Sequence, residues 1–294
     1  MSRYSIWIVS PPNYLHSHAF DEVAIGLHAG FRALGLDAEV VHDSSRLGDV
    51  TIVLGCNLLK GVAPPPPDKR LILFNLEQIT PNSPWLTQDY LALLGRYPVW
   101  DYSQGNIAEL ARMGIKAQHC GIGYAPELTC IAPAPEDIDV LFVGSVNERR
   151  LIVLKQLAAQ GINVDARFNL YGPERDAFLA RARIILNVHF YDARLFEIVR
   201  VSYLLANRKC VVSETGSDTS FESEFGTGIA FAPYAALAET CIRLLQNLDS
   251  RRAVAEAGFE RFKAMPQTEY LRLALATLES RSARPIAAGL TPVL

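Results

Sequence analysis

Residues able to take a proton and residues able to hold an anion fall in separate parts of this 294-residue chain. Residues 11–22 read Pro-Pro-Asn-Tyr-Leu-His-Ser-His-Ala-Phe-Asp-Glu, a loop dense in His16, His18, Asp21 and Glu22. A hydroxyl that attacks carbon must give up its proton, and an imidazole with an ordinary pKa of about 6.5 accepts it at neutral pH. His18 is the first candidate, with Asp21 three residues on to orient its ring, and His16 is the second. The plainer reading is a solvated or helix-capping histidine, with Asp21 in the first turn of a helix. His-x-His is also a zinc-ligand spacing, although no third or fourth ligand is evident. Glu77, in Asn75-Leu-Glu-Gln78 at a strand end, is a rival base or a ligand for the attacking molecule.

The anion-holding candidates lie in the second half. Phe142-Val-Gly-Ser-Val-Asn-Glu-Arg-Arg150 sets Gly144 and Ser145 at a strand end, just before a helix. Backbone N–H groups and the positive helix end suit a diphosphate there, and Arg149 and Arg150 can add charge-assisted hydrogen bonds. A single glycine after a strand is equally a common turn. In Asn169-Leu-Tyr-Gly-Pro173, Tyr171 can flank a planar base and Gly172 lets the backbone approach, or the tyrosine simply packs on a turn. In residues 186–214 a strand ends in a polar loop and a helix follows, with Glu197 on its first turn. A carboxylate there can accept both hydroxyls of a ribose. It can also just complement the helix dipole and pair with Arg194 or Arg200.

The elements that must position these groups follow from periodicity. Apolar runs at 4–9, 38–41, 50–54, 71–74, 99–102 and 117–120 read as buried strands. Helical stripes at 20–34 and 106–113 accompany them. Residues 131–136, with two prolines, form the domain boundary. Strands at 140–143, 164–170, 184–188, 210–213 and 228–231 then alternate with helices at 148–160, 194–206, 234–248, 251–263 and 269–278, before a loose tail after Arg281. The four prolines 64–67 form a stiff surface connector. The pattern predicts an α/β chain of two Rossmann-like domains facing a cleft, residues 1–131 and 137–281, with the last helices packing back on the first domain. Ligands in such folds sit at the carboxyl ends of the strands, which selects residues 10–18, 144–150 and 188–197.

Composition narrows the classes. A formal charge of −3 argues against a dedicated nucleic-acid binder. No apolar stretch approaches the roughly 20 residues of a membrane span, and the first residues lack a signal-peptide layout. Five scattered cysteines without a CxxC pair point to buried thiols in a reducing cytoplasm. No Gly-x-Gly-x-x-Gly follows a leading strand, which disfavours a dinucleotide oxidoreductase.

Arg194-Leu-Phe-Glu197, followed by an apolar turn and Val-Val-Ser, resembles the donor-domain signature of two-domain (GT-B) glycosyltransferases. The nearest group is that related to spore maturation glycosyltransferases. Residues 139–149 and Leu170–Gly172 look like that group's phosphate and "YG" loops. Asn147 and Arg149 fall within the phosphate loop. The resemblance covers roughly residues 138–262. It implies that Glu197 binds the ribose of a nucleotide-sugar donor, with phosphate held by Gly144, Ser145, Arg149 or Arg194. Many retaining members carry a further glutamate eight positions before the first, where this chain has His189; that histidine then contacts a sugar hydroxyl or the phosphate, with Asp192 as a substitute carboxylate. By the same resemblance the first half binds the acceptor, with Trp85, Trp100 and Tyr102 either stacking on a sugar ring or packing. The function implied is glycosyl transfer to an acceptor hydroxyl without metal or bound cofactor. The alternatives are a non-catalytic nucleotide-sugar binder and a sugar-nucleotide epimerase of the same architecture.

Overall fold

The structure is a computed structural model that describes residues 3–80, 83–190, 194–217 and 219–282, the last four as backbone. Its first half is one parallel sheet in the order β2-β1-β3-β4-β5-β6: β1 (Tyr4–Ile8), β2 (Ala38–Val41), β3 (Val50–Leu54), β4 (Arg70–Asn75), β5 (Val99–Asp101) and β6 (Ala117–His119). The second half is a parallel sheet in the order β11-β10-β9-β7-β8: β7 (Ile138–Val143), β8 (Val164–Arg167), β9 (Ala182–Asn187), β10 (Val211–Glu214) and β11 (Ala230–Ala232). Parallel neighbours need crossovers, and helices supply most of them. These are α1 (Asp21–Ala33), α2 (Gln88–Leu94), α3 (Gln104–Arg112), α4 (Glu148–Ala159), α5 (Gly172–Arg181), α6 (Ile198–Ala206) and α7 (Ser220–Phe225). Then α8 (Leu237–Leu245), α9 (Leu248–Lys263) and α10 (Gln267–Ser282) close the chain.

Alternation along the strands explains the core. Ile6, Ile8, Ile52, Leu54, Ile72 and Phe74 point to one face of the first sheet, while Trp7, Val9, Val53, Leu71 and Leu73 point to the other and form a separate cluster. Leu141 and Ile185 of the second sheet join the first group, and Val140, Phe142, Ile184 and Leu186 fill a third cluster behind it. One continuous core thus runs between the two sheets. Trp100 is fully buried in it against Phe74, so of the three aromatics offered as sugar platforms this one is packing.

The chain stitches its halves together by hydrogen bonds. Tyr124 N–H donates to Met265 O and Gln267 N–H to Tyr124 O, each at 2.8 Å. Gly123 lies so close that a Cβ would meet Gln267 N and Met265 O at 2.7 Å, so only glycine fits. The Asn207 side chain, just past α6, accepts from the N–H groups of Cys130 and Ile131 at 3.0 and 2.9 Å. By these contacts α10 lies against α1 of the first sheet.

Several boundaries differ from the sequence expectation, each for a local reason. The strand expected to reach 170 stops at Arg167, because Asn169 takes a left-handed φ of 55°. The helix expected from 194 starts at Ile198, since Arg194 has φ 47° and Glu197 is the non-helical residue that precedes the first turn. The expected helix 234–248 is a short 3-10 turn followed by α8, and Leu248 belongs to α9, capped by the Asn247 side chain on Ser250 N–H. Helices α2, α5 and α7 had no strong apolar stripe to announce them; each buries at most two residues. Four cysteines are buried, whereas Cys130 is exposed. The tail from residue 283, read as loose, lies outside the described residues.

Candidate functional site

The carboxyl ends of both sheets open on one cavity of about 360 Å³. Its second-half wall is built from the loops after β7, β8 and β9: Gly144, Ser145, Phe168, Tyr171, Asn187 and Glu197, with Arg200 from α6. Its first-half wall carries His16 from the loop after β1, and Glu77 and Gln78 from the loop after β4, with Trp85 and Tyr102.

Gly144 holds φ 145°, and its N–H donates to Arg167 O at 2.8 Å. A Cβ at this position would stand 3.3 Å from the Arg200 guanidinium, so the glycine lets that cation lie over the loop. From the sequence Arg200 is only a partner for Glu197, three residues away, and that spacing is the one signal of its place at the site.

The other arginines have different duties. Arg149 is locked to the 1%-exposed Glu214 through two hydrogen bonds of 2.7 and 2.5 Å, and its guanidinium covers the Tyr234 ring. Arg150 is buried behind the site, donating to Val188 O at 2.8 Å and Ser145 O at 2.7 Å. Arg194 is exposed, outside the cavity wall, and its carbonyl receives Ser217 N–H. Neither Arg149 nor Arg194 lines the cavity as a phosphate ligand. Asn147 is likewise structural: it caps α4 by accepting from Arg150 N–H at 3.0 Å and donates to Phe190 O at 3.0 Å.

Glu197 is the acid at the centre of the second-half wall. Asn187 Nδ2 donates to its Oε2 at 3.0 Å, and Arg150 stands 3.8 Å from its Oε1. Burial alone would raise this carboxyl. His189, Arg200 and Asn187 together outweigh that effect and hold it below its ordinary range, so it is ionised at neutral pH. His189 Nδ1 lies 3.0 Å from Glu197 Oε2 but out of line for a well-formed hydrogen bond. The imidazole is 1% exposed and does not line the cavity, so it backs Glu197 and does not reach a ligand from this position. Asp192 lies outside the described residues.

Across the cavity, the two loop histidines separate. His18 is half-exposed, outside the cavity wall, with Nδ1 held by Asp21 Oδ2 at 2.9 Å. The pairing foreseen for the base therefore exists, but His18 is not part of the cavity wall; its ring stands 5.9 Å from that of Tyr171, which is. His16 lines the cavity, and its Nδ1 is 2.8 Å from the Tyr171 hydroxyl, a contact that crosses from one sheet's loops to the other's. Gly172, with φ 55°, starts α5 and leaves the wall to Tyr171. Beside them Arg175 pairs with Glu22 at 2.6 Å, again across the halves.

Glu77 is half-buried in the cavity wall, with Asn57 Nδ2 donating to its Oε1 at 3.1 Å. Burial pushes its carboxyl up to about 7, the hydrogen bond from Asn57 only partly offsetting that rise. A carboxyl poised there exchanges protons near neutral pH. Among the described residues no three His, Cys, Asp or Glu side chains converge as a metal site, and no helix is long and apolar enough to cross a membrane.

No family model matches the chain. The uncharacterized protein L140 of Acanthamoeba polyphaga mimivirus is 29% identical over 189 residues, covering 60% of each chain. The chain thus spans less than two thirds of the length of the curated relatives it matches first. Among solved structures, Anabaena HepE in complex with UDP and glucose is similar with a TM-score of 0.63 at 10% identity, over 97% of this chain and 100% of that one. AviGT4, a glycosyltransferase involved in avilamycin A biosynthesis, gives a TM-score of 0.58 at 13% identity over 95% and 97%. At these identities the likeness is one of fold: the chain has the two-domain GT-B architecture.

Proposed function

We propose that this chain is a glycosyltransferase that moves a sugar from a nucleoside diphosphate to an acceptor hydroxyl, with residues 137–281 binding the donor and residues 1–131 the acceptor. The observation that carries the reading is the cavity at the strand ends of both sheets, which sets an ionised Glu197 and the Arg200–Gly144 loop opposite His16 and Glu77. Glu197 accepts the ribose hydroxyls, Arg200 and the Gly144–Ser145 loop hold the diphosphate, and Tyr171 with Phe168 flanks the base. The Arg194-Leu-Phe-Glu197 segment supports placing the donor half nearest the spore maturation group.

In the transfer, the acceptor oxygen bonds to the anomeric carbon. The bond from that carbon to the diphosphate oxygen breaks, its electron pair leaving on the nucleoside diphosphate. The acceptor proton passes to Glu77. Arg200 offsets the charge that builds on the leaving group, which assigns to the protein the work a metal ion would otherwise do. The five free thiols fit a reducing compartment, the cytoplasm.

UDP-glucose is the first donor to try, because HepE is solved with UDP and glucose. The test is a panel of nucleotide sugars with mixed sugar and alcohol acceptors in buffer containing EDTA, read by nucleotide release and glycoside mass. Turnover with one donor supports the reading. Neither turnover nor a calorimetric heat with any nucleotide sugar or free diphosphate defeats it.

A further inference from the structure

Beneath Glu77 lies a set of fully buried polar side chains that an ordinary parallel sheet does not need. Asn75 ends β4 and Asp101 ends β5; both are 0% exposed, and Asn106 of α3 is 1% exposed. The Asn75 amide grips the backbone of Glu77 from both sides. Its Oδ1 accepts from Glu77 N–H at 3.2 Å, and its Nδ2 donates to Glu77 O at 3.0 Å. Asn106 Nδ2 donates to the same carbonyl at 2.9 Å, and its Oδ1 takes Ile79 N–H at 3.0 Å.

Both amides are oriented by one acid. Asp101 Oδ2 accepts from Asn75 Nδ2 at 2.6 Å, its carboxylate also receives Asn106 Nδ2 at 3.2 and 3.3 Å, and Oδ1 takes Ser103 N–H at 2.8 Å. The Tyr90 hydroxyl closes the set by donating to Asn75 Oδ1 at 2.6 Å. Buried polar groups cost stability unless every member is satisfied, so a network this dense marks a geometry that must be held. What it holds is the four-residue loop 76–79. Within that loop Glu77 faces the cavity, and Gln78 Nε2 donates across to Leu195 O, two residues before Glu197.

We infer that Asp101, acting through Asn75 and Asn106, is the positioning residue that aims Glu77 at the acceptor hydroxyl and fixes its distance from the donor. This rests on the glycosyltransferase reading and deepens it by assigning the acceptor-side machinery. Asp101 touches neither acceptor nor donor. Its removal frees the 76–79 loop, so Glu77 gains water and no longer sits at the attacking oxygen. A misplacement of about 1 Å can cost on the order of a hundredfold in rate. The titratable groups around Glu77 are Asp101, which burial also pushes up to about 7, and the buried Cys56, Tyr90 and Tyr102, of which Tyr102 also feels Glu197 from the far wall. The acidic limb of kcat therefore reports Glu77 and Asp101 together; Glu77→Gln and Asp101→Asn separate their shares, and His16 is the other cavity group, checked by His16→Phe.

The experiment begins with wild-type turnover; its absence with every donor defeats the underlying function. With turnover in hand, Asp101→Asn is compared with wild type, Glu77→Gln and the double variant. The expected result is a kcat lowered at least tenfold in Asp101→Asn, UDP affinity within twofold, and an acidic limb moved to lower pH. In the Glu77→Gln background Asp101→Asn should add less than twofold, because its effect runs through Glu77. Tyr90→Phe removes one bond of the network with little change in shape; it should fold and show a smaller loss with the limb moved the same way. Asp101→Asn or Tyr90→Phe with wild-type kcat and limb overturns the inference alone, as does a full, additive loss in the double variant.

Discussion

The two sheet ends that meet at the cavity treat their buried acids in opposite ways. On the second-half side, Glu197 in the wall and Glu214 buried outside the lining sit among cationic or imidazole groups: His189 and Arg200 keep Glu197 ionised, and Arg149 clamps Glu214 with two short hydrogen bonds. On the first-half side, Glu77 in the wall and Asp101 buried beneath it are held by neutral amide donors, and burial pushes both carboxyls up to about 7. A carboxylate locked in its charged form is a fixed hydrogen-bond acceptor, suited to sugar hydroxyls that never ionise. A carboxyl poised near neutrality gains and loses a proton at little cost. On the proposed reading the same side chain serves recognition on one wall and proton transfer on the other, and the choice is made by whether cations or amides surround it.

The largest effect that would sharpen this contrast is Glu77→Gln, which keeps the shape and removes the proton acceptor. Turnover should fall by about 10²–10⁴ with UDP affinity nearly unchanged; comparable turnover would move the base to His16. On the second-half side, outside the cavity lining, Arg149→Ala removes the guanidinium that clamps the 1%-exposed Glu214. Stability should drop by about 3 kcal/mol in a urea titration, and a loss below about 1 kcal/mol would show that Glu214 finds other partners.

Glu197→Gln should weaken donor binding by roughly tenfold or more, since hydrogen bonds to a charged acceptor contribute about 1.5–3 kcal/mol. Calorimetry with UDP reads it directly, and unchanged affinity would place the ribose elsewhere.

The pH response should divide along the same line. Turnover should rise with pH through about 7 as Glu77 ionises. Stability should move the other way: carboxyls raised in the fold bind protons more tightly than in the unfolded chain. The stability from Glu77 and Asp101 is therefore full below the ordinary carboxyl range and lost as pH rises through about 7. Glu77→Gln should flatten part of that decline in a thermal melt series, whereas UDP affinity should stay level over the same window. The smallest effect belongs to His18→Ala. Its pair with Asp21 is solvated and off the cavity, so activity should change less than threefold.

Much of this arrangement was legible in the residues. The strands at 38–41 and 50–54 appear with the expected bounds, because short apolar runs between turn residues leave little choice of period. Gly144, Tyr171 and Glu197 were found from their place after strands, and all three line the cavity. Arg149, Arg194 and Asn147 have the right chemistry for phosphate but stand outside the cavity lining, because sequence carries no record of which partner claims a side chain first. Glu214 takes Arg149, the α4 terminus takes Asn147, and a left-handed backbone turns Arg194 outward. His18 was preferred over His16 because Asp21 stood nearby; that pair forms, and His16 is the histidine in the cavity wall.

The α/β alternation, the two sheets and the acids at strand ends were settled by local pattern, since periodicity and turn chemistry act over a few residues. Which acid stays charged and which holds a proton near neutral pH was decided only by tertiary structure. That difference depends on burial and on partners brought from distant positions, such as Asn106 beneath Glu77 and Arg200 over Gly144, and no spacing along the chain encodes it.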